Sequence, residues 1–523
     1  MKQVIKAIVI LFIVLAIMKG YEQAVEHRTM KRYLSQSENR LEVISMTKEK
    51  APKYIFLFIG DGMSYPQIQL ANYYQKELQN SNKVNYLDML DFDVVGTAMT
   101  YDETYLIPES SSAGTAIATG HKTTGERINV NLDGTEFYET IAEKLKKQKG
   151  YKIGIVTSVN LNHATPASFY AHQCSRRNYY EIGIDLVHSG FDYFAGGSLR
   201  LRTGENKDQE NLYKVAQRKG YQVVLTEQEA KELRQEDGKV IVIAEHLAEK
   251  GSIPYAMDQK EDAMNLADYV EKGIELLDNQ DGFFMMVEGG KIDWACHAND
   301  TSTMIQEIIA MDESIQTALE FYKKHPSETL ILVTGDHETG GLSIGYADTE
   351  YDTNLLGLSH QKISYSKFNE DYVSDYKKNH TEFVSICTDI TELFGLCMPE
   401  KEEVETKKLE EEDQHTKHKG TLDLTLTMDE YKELEKAYEA TMNRTDEVAY
   451  LTQEEYLAYG SYEPLTIAIQ HILAHKCGVD FSTYAHSALA VPVFAKGKDA
   501  MKFTGYYDNT KLFQILAELT GVK

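Results

Sequence analysis

Between residues 53 and about 345 the chain alternates two textures. Short apolar runs, rich in Ile, Val, Leu and Phe, lie at 54–59, 92–99, 152–157, 221–225, 240–244, 283–287 and 329–334. Longer stretches at 135–148, 261–278 and 301–323 carry apolar residues at helical spacing with charges between them. Strand-length runs interleaved with amphipathic helices predict an α/β fold: a doubly wound, largely parallel sheet with helices on both faces. Ligands of such sheets gather at the carboxyl ends of the strands. Three acids stand at those ends, Asp61, Glu288 and Asp336.

The texture changes at about 346. Residues 346–480 are rich in Tyr, Lys and Glu and include the charged block PEKEEVETKKLEEEDQHTKHKG at 399–420, followed by a helical segment at 427–442. The charge run reads as a solvated face. The stretch reads as an insertion, packed over or beside the site, in a catalytic body made of 51–345 and 481–523. The sheet resumes at 488–495 and a last helix covers about 510–520.

Residues 25–50 are a polar lead-in. Before them, Lys2 and Lys6 precede an unbroken apolar run from Ala7 to Met18. That is short for a membrane span, which needs roughly 20 residues, and suits the core of a secretory signal. No small-x-small cleavage site stands near Ala24, so residues 1–24 read as a signal peptide or a retained N-terminal membrane anchor. Either way the protein is expected to be exported: periplasmic, secreted or held at the cell surface.

With 523 residues, 54 basic and 81 acidic side chains, the chain carries a formal charge of −27. That balance repels polyanions at long range and excludes nucleic acid as an expected partner. An anionic substrate must then be attracted locally. None of the five cysteines forms a CxxC pair, which argues against a zinc–thiolate site. In an oxidising compartment Cys387 and Cys397 could close a short disulfide; free thiols are an equal reading.

The chemistry-bearing residues cluster around the apolar runs. Asp61 sits between Gly60 and Gly62, in a turn after a strand. Asp293 and His297 are four apart, so a helical turn puts both on one face, able to grip one ion. Asp336 and His337 are adjacent and can share an ion only from a loop, for which Gly335, Gly340 and Gly341 provide. His486 precedes a third apolar run. Ser110 opens a run of small residues where a loop becomes a helix, and the partial positive charge of a helix N-terminus suits phosphate. Ser111 and Ser112 are rival nucleophiles by spacing alone. Metals beside a hydroxyl point to hydrolysis of phosphate esters.

Over roughly 53–345 and 481–515 the chain resembles the alkaline phosphatase family. The segments that carry the resemblance are FIGDGM, SAGTAIATGHKT, NHATPASFYAHQCSR (162–176), VEGGKID and TGDHETGG. It implies a doubly wound core with a crown-like insertion, and three metal ions. One zinc would be held by Asp293, His297 and His486. A second would be held by Asp61, Asp336 and His337, with Ser110 completing it. Magnesium would be held by Asp61, Thr165 and Glu288. It also implies that Arg176 forks onto two phosphate oxygens while Arg177 points elsewhere. The implied reaction is two in-line displacements through a phosphoserine at Ser110, which release an alcohol and inorganic phosphate from a monoester. Relatives are usually homodimers, sometimes monomers, so a homodimer is one expectation.

Three positions depart from the commonest pattern. Glu109 replaces an Asp before the nucleophile, and its extra methylene is expected to loosen contact with Arg176. His163 and Trp294 are expected just outside the metal ligands, His163 near the magnesium set. His121 reads as a surface histidine. Two alternatives stand beside the phosphomonoesterase: a phosphodiesterase or sulfatase of the same superfamily, and a surface interaction protein with a weakened catalytic core. The sulfatase C-x-P-x-R sequence is absent. Arg176 and the magnesium set argue against a diesterase.

Overall fold

The structure, a computed structural model, describes residues 51–399, 423–444 and 451–523. The leader or anchor and nearly all of the charged block lie outside these residues. In chain order the strands are β1 (Tyr54–Gly60), β2 (Val94–Met99), β3 (Lys152–Asn160), β4 (Tyr193–Gly197), β5 (Tyr221–Val224), β6 (Lys239–Ile243), β7 (Phe283–Gly289), β8 (Thr329–Gly335), β9 (Glu338–Thr339), β10 (Leu342–Ile344), β11 (Val479–Phe481), β12 (His486–Ser487), β13 (Val491–Gly497) and β14 (Gly505–Asp508). Ten of them make one sheet in the order β14-β2-β13-β8-β1-β7-β3-β4-β6-β5. Pairing in it is parallel except at β13, which runs against both β8 and β2.

The expected runs became strands for a visible reason. β1, β7 and β8 are buried at every residue, so their sequences are continuously apolar rather than alternating. Along β1, Tyr54, Phe56 and Phe58 enter one apolar cluster while Ile55, Leu57 and Ile59 enter another on the opposite face. β2, near the sheet edge, shows the half-exposed alternation of Val94 buried against Val95 exposed. β4, read from sequence as no strand, has the short text YFAGG with two glycines.

Helix boundaries follow their caps. The stretch expected at 135–148 is helical only over Ile141–Lys149, because Thr140 caps it: Glu143 N–H donates to Thr140 Oγ1 (3.1 Å) and Thr140 N–H to Glu143 Oε2 (2.8 Å). Asn265 and Asp300 likewise start the helices Leu266–Leu277 and Thr301–Lys324. The described part of 346–480 is mainly helical. Ile386, Phe394, Leu434 and Ile469 share one core with Phe56 and Phe58. Tyr365 N–H donates to Asp300 Oδ2 (2.8 Å) and Ser302 Oγ to the Leu358 carbonyl (2.9 Å), fixing that stretch to the long helix. All five cysteines are free; Cys387 is buried in the helix Phe383–Phe394 and donates to its own Phe383 carbonyl, so the bridge to Cys397 is not formed.

Register positions the acids. Gly60 pairs with Gly289 on one side and Gly335 on the other, and Ile59 pairs with Glu288. The carboxyl ends of three adjacent strands therefore deliver Asp61, Glu288 and Asp336 side by side.

Candidate active site

The chain leaves β1 through Asp61 and Gly62. Gly62 has φ +70, and a Cβ there would lie 2.7 Å from Thr339 Oγ1, so only glycine fits the turn. Asp336 Oδ1 accepts from the Gly62 amide (3.1 Å) and from the His337 amide (2.8 Å). Those bonds clamp the acid and leave Oδ2 facing inward. β9 then pairs with β12, which sets His486 opposite Thr339. The helix Lys291–His297 presents Asp293 and His297 on one face, as their spacing predicts.

The side chains converge. His297 Nε2 lies 3.3 Å from Asp293 Oδ1 and 3.2 Å from His486 Nε2, and His486 Nε2 lies 3.6 Å from Asp293 Oδ1. His337 Nε2 is 3.4 Å from Asp61 Oδ1, 3.4 Å from Asp336 Oδ2 and 3.3 Å from Ser110 Oγ. Thr165 Oγ1 is 3.2 Å from Asp61 Oδ2, and Glu288 bonds to Thr157 on the neighbouring strand. Three groups have ligand atoms within 4.8 Å of one another: Asp293–His337–His486, Asp61–Asp336–His337 and Asp61–His163–Glu288. His163 thus comes closer to the oxygen-rich group than its expected place just outside it.

The donor set fits cations. Asp61 Oδ1, Asp336 Oδ2 and Glu288 Oε1 are buried with no hydrogen-bond partner, an arrangement that costs free energy unless a cation completes it. Burial, followed by repulsion from the other acids, pushes Asp61 well above the usual carboxylate range. Burial pushes Glu288 up to about 7. Burial opposes ionisation of Asp293 too, but the facing histidines hold it well below the usual range. His297 and His486 contact backbone carbonyls through Nδ1, of Tyr484 (2.6 Å) and Pro108 (2.7 Å). Nδ1–H donation fixes the tautomer, so that each Nε2 lone pair points into the site.

Ser110 is the first residue of the helix Ser110–Thr119, with Glu109 as its cap. Gly114 lets that helix pack close, since a Cβ there would meet Ser168 Oγ at 2.6 Å. The rival serines are hydrogen-bonded elsewhere: Ser111 to Glu109, and Ser112 to Asp102 Oδ2 (3.1 Å) and the Glu109 carbonyl (3.0 Å). Arg176 forms an ion pair with Glu109, and its Nη2 lies 3.1 Å from His163 Nε2. The loosening expected of Glu109 does not occur: the longer side chain reaches the guanidinium and also accepts from the Glu126 amide (2.6 Å). Burial raises the proton affinity of Glu109, but Arg176 and these bonds outweigh it and hold the carboxyl below its usual range. Arg177 turns outward, 79 % exposed against 18 % for Arg176, and pairs with Glu126. Trp294 is buried edge-on to His163, with ring centroids 6.0 Å apart. His121 is exposed and stacked on Tyr138.

The family model for alkaline phosphatase matches residues 52–192 and 192–522. The chain belongs to the alkaline phosphatase family. It is 34% identical to alkaline phosphatase 4 of Bacillus subtilis over 302 residues, covering 56% of this chain and 62% of that relative's length. It is 29% identical to alkaline phosphatase 3 of the same organism over 474 residues, covering 88% of this chain and 87% of that protein. Its fold matches that of the cold-active alkaline phosphatase of Shewanella sp. at a TM-score of 0.70 and 25% identity, covering 89% of this chain and 99% of that one.

Several supporting residues escaped the sequence reading. Thr339 donates to Asp293 Oδ1 (2.6 Å) and lies 3.3 Å from His337 Nδ1. It stands two residues after His337, and the two-residue period of extended chain was the available signal. Thr157 faces Glu288 only through the register of β3 on β7, for which one sequence holds no signal.

Proposed function

We propose that the chain hydrolyses phosphate monoesters at this cluster, with Ser110 as nucleophile. The carrying observation is that Ser110 Oγ lies 3.3 Å from His337 Nε2, which is itself 3.4 Å from Asp61 Oδ1 and Asp336 Oδ2, two buried oxygens without a hydrogen bond. Asp293, His297 and His486 would hold one Zn2+, Asp61, Asp336 and His337 a second, and Asp61, Thr165 and Glu288 a Mg2+. Ligand hardness supports that division: mixed imidazole and carboxylate for zinc, oxygen alone for magnesium. When bound, the cations supply the positive charge that lowers the hydroxyl pKa and stabilises the departing oxygen.

The rest is work for the chain. Ser110 Oγ forms a bond to phosphorus as the ester P–O bond breaks, and the electron pair leaves on the alcohol oxygen. Arg176, aimed by Glu109, donates to two phosphoryl oxygens. The amides at the start of the Ser110–Thr119 helix add partial positive charge. Water then attacks the phosphoserine, releasing phosphate and restoring the hydroxyl.

In the same reading residues 1–24 direct export or anchor the chain, 25–50 lead in, 51–345 with 481–523 form the catalytic body, 346–480 is an inserted crown-like region, and two copies pair. The test is turnover of p-nitrophenyl phosphate and its bis-ester by metal-analysed protein, with Ser110→Ala alongside. Faster monoester turnover and a loss of at least roughly a thousandfold in the variant are expected. Equal turnover by variant and wild type, or preference for the bis-ester, overturns the reading.

A further inference from the structure

Asn299 stands two residues after His297, is buried, and holds φ +51, a left-handed conformation that asparagine tolerates better than most side chains. Its amide group makes three contacts. Nδ2 donates to the Cys296 carbonyl (2.9 Å) and to the Thr483 carbonyl (3.1 Å), and Oδ1 lies 3.0 Å from His471 Nε2. With both amide hydrogens spent on carbonyls, Oδ1 can only accept, so the proton of that pair belongs to His471 Nε2. Burial lowers His471 to about 4, which keeps the ring neutral with one N–H to give.

The Thr483 carbonyl lies in the turn that leads into His486. The next residue, Tyr484, offers the carbonyl that faces His297 Nδ1 at 2.6 Å. From the other side, the Gly340 amide donates to the Ala485 carbonyl (2.9 Å), and the Gly340 carbonyl accepts from the amides of Ser482 (3.0 Å) and Thr483 (3.1 Å). The turn is thereby clamped between the segment that carries His337 and the side chain of Asn299. Region 346–480 grips the same turn. The Tyr484 hydroxyl donates to the Ala458 carbonyl (2.6 Å), and its ring lies against that of His471, centroids 5.9 Å apart and planes 24° from parallel. His471 belongs to the helix Pro464–Lys476, whose Leu465, Ile469 and Leu473 are buried in the core shared with Phe56 and Phe58. Among the described residues its ring makes one hydrogen bond, and that bond ends on Asn299.

We propose that His471 and Asn299 are positioning residues for the group Asp293, His297 and His486, and that region 346–480 acts on the reaction through them, by fixing the turn whose Tyr484 carbonyl orients His297 and whose end carries His486. The inference rests on the phosphatase reading, in which those side chains hold a zinc ion. Neither His471 nor Asn299 bonds to a ligand side chain. Both act through the backbone: the place of the Tyr484 carbonyl sets the ring orientation and tautomer of His297, and with them the direction of its Nε2 lone pair. A turn freed from Asn299 would let the two imidazoles separate and weaken metal binding at this group alone.

The test reads zinc stoichiometry and zinc retention, by competition with a chromogenic chelator, on the full chain in wild type, His471→Phe, His471→Gln and Asn299→Gly. Phenylalanine keeps a ring and loses the N–H. Glutamine sets a donor close to the place of Nε2. Glycine suits φ +51 and removes only the amide group. His471→Phe and Asn299→Gly are each expected to release one zinc equivalent at about a tenfold lower chelator concentration, the rest being retained as in wild type, and His471→Gln to stay within about threefold of wild type. Zinc retention of wild-type strength in either His471→Phe or Asn299→Gly overturns the inference. So does an equal loss in His471→Phe and His471→Gln, which would trace the effect to packing. In both cases turnover of p-nitrophenyl phosphate by zinc-loaded wild type leaves the phosphatase reading standing. A wild type that binds no zinc and turns over no monoester overturns that reading and this inference with it.

Discussion

Two groups of buried acids lie on the same chain and differ in how they are finished. Asp300 and Asp312 are buried, yet their oxygens are taken up by the protein. Asp300 accepts from Thr303, Gln361 and the Tyr365 amide, and Asp312 from the amides of Asp88 (2.6 Å) and Met89 (3.1 Å). Asp61, Asp336 and Glu288 are buried as deeply, but each keeps an oxygen that accepts no hydrogen bond, Asp61 Oδ1 and Asp336 Oδ2 having only His337 Nε2 at 3.4 Å. Burial of a carboxylate is therefore no mark of a metal site. What sets the site apart is that several such unbonded oxygens converge with imidazole nitrogens, whereas Glu463 Oε1 is unbonded outside any such cluster. The finished acids hold the fold together; the unfinished ones are those we propose to meet a cation.

That contrast breaks most visibly under amide substitution. Asp61→Asn should lose bound metal and at least roughly a thousandfold in turnover, because its two oxygens serve two of the ligand groups. Asp300→Asn should keep its metal stoichiometry and lose roughly 1–3 kcal/mol of stability instead. Elemental analysis and urea unfolding of both variants check this, and metal loss from Asp300→Asn would erase the distinction. A smaller effect is expected at the Arg176–Glu109 ion pair beside Ser110. Arg176→Ala should weaken inhibition by inorganic phosphate by about tenfold or more with metal content unchanged. Unaltered inhibition would assign phosphate to another cation.

The smallest effect sharpens the comparison through pH. Burial pushes Asp312 up to about 7 despite its two amide bonds. A folded-state pKa above the unfolded value means that its contribution to stability is full in acid and is lost as the pH rises through about 7. The Asp312→Asn variant, neutral throughout, should therefore gain on wild type by on the order of 2 kcal/mol between pH 5 and pH 8. Urea midpoints at the two pH values measure it; a constant difference would show that Asp312 does not titrate in this window.

The sheet was legible because its central strands are buried on both faces and so read as unbroken apolar text. The acids were legible because each directly follows such a run. Helix starts were less so: the sequence extends the pattern to 135, but Thr140 and Glu143 cap the helix and hold what precedes it extended. Thr157 and Asn299 were illegible in function, since their partners at Glu288 and His471 are set by strand register and helix packing that join distant parts of the chain. Glu109 shows the reverse failure. Its identity was read correctly, but whether a longer acid slackens or tightens on Arg176 depends on where the guanidinium stands.

The one reversed strand, β13, has a consequence for biosynthesis. Because it enters the sheet from the edge where the other strands end, its approach carries His486 across the cluster begun at Asp61. A growing polypeptide therefore assembles most of the pocket early but cannot close it until nearly the whole message has been translated.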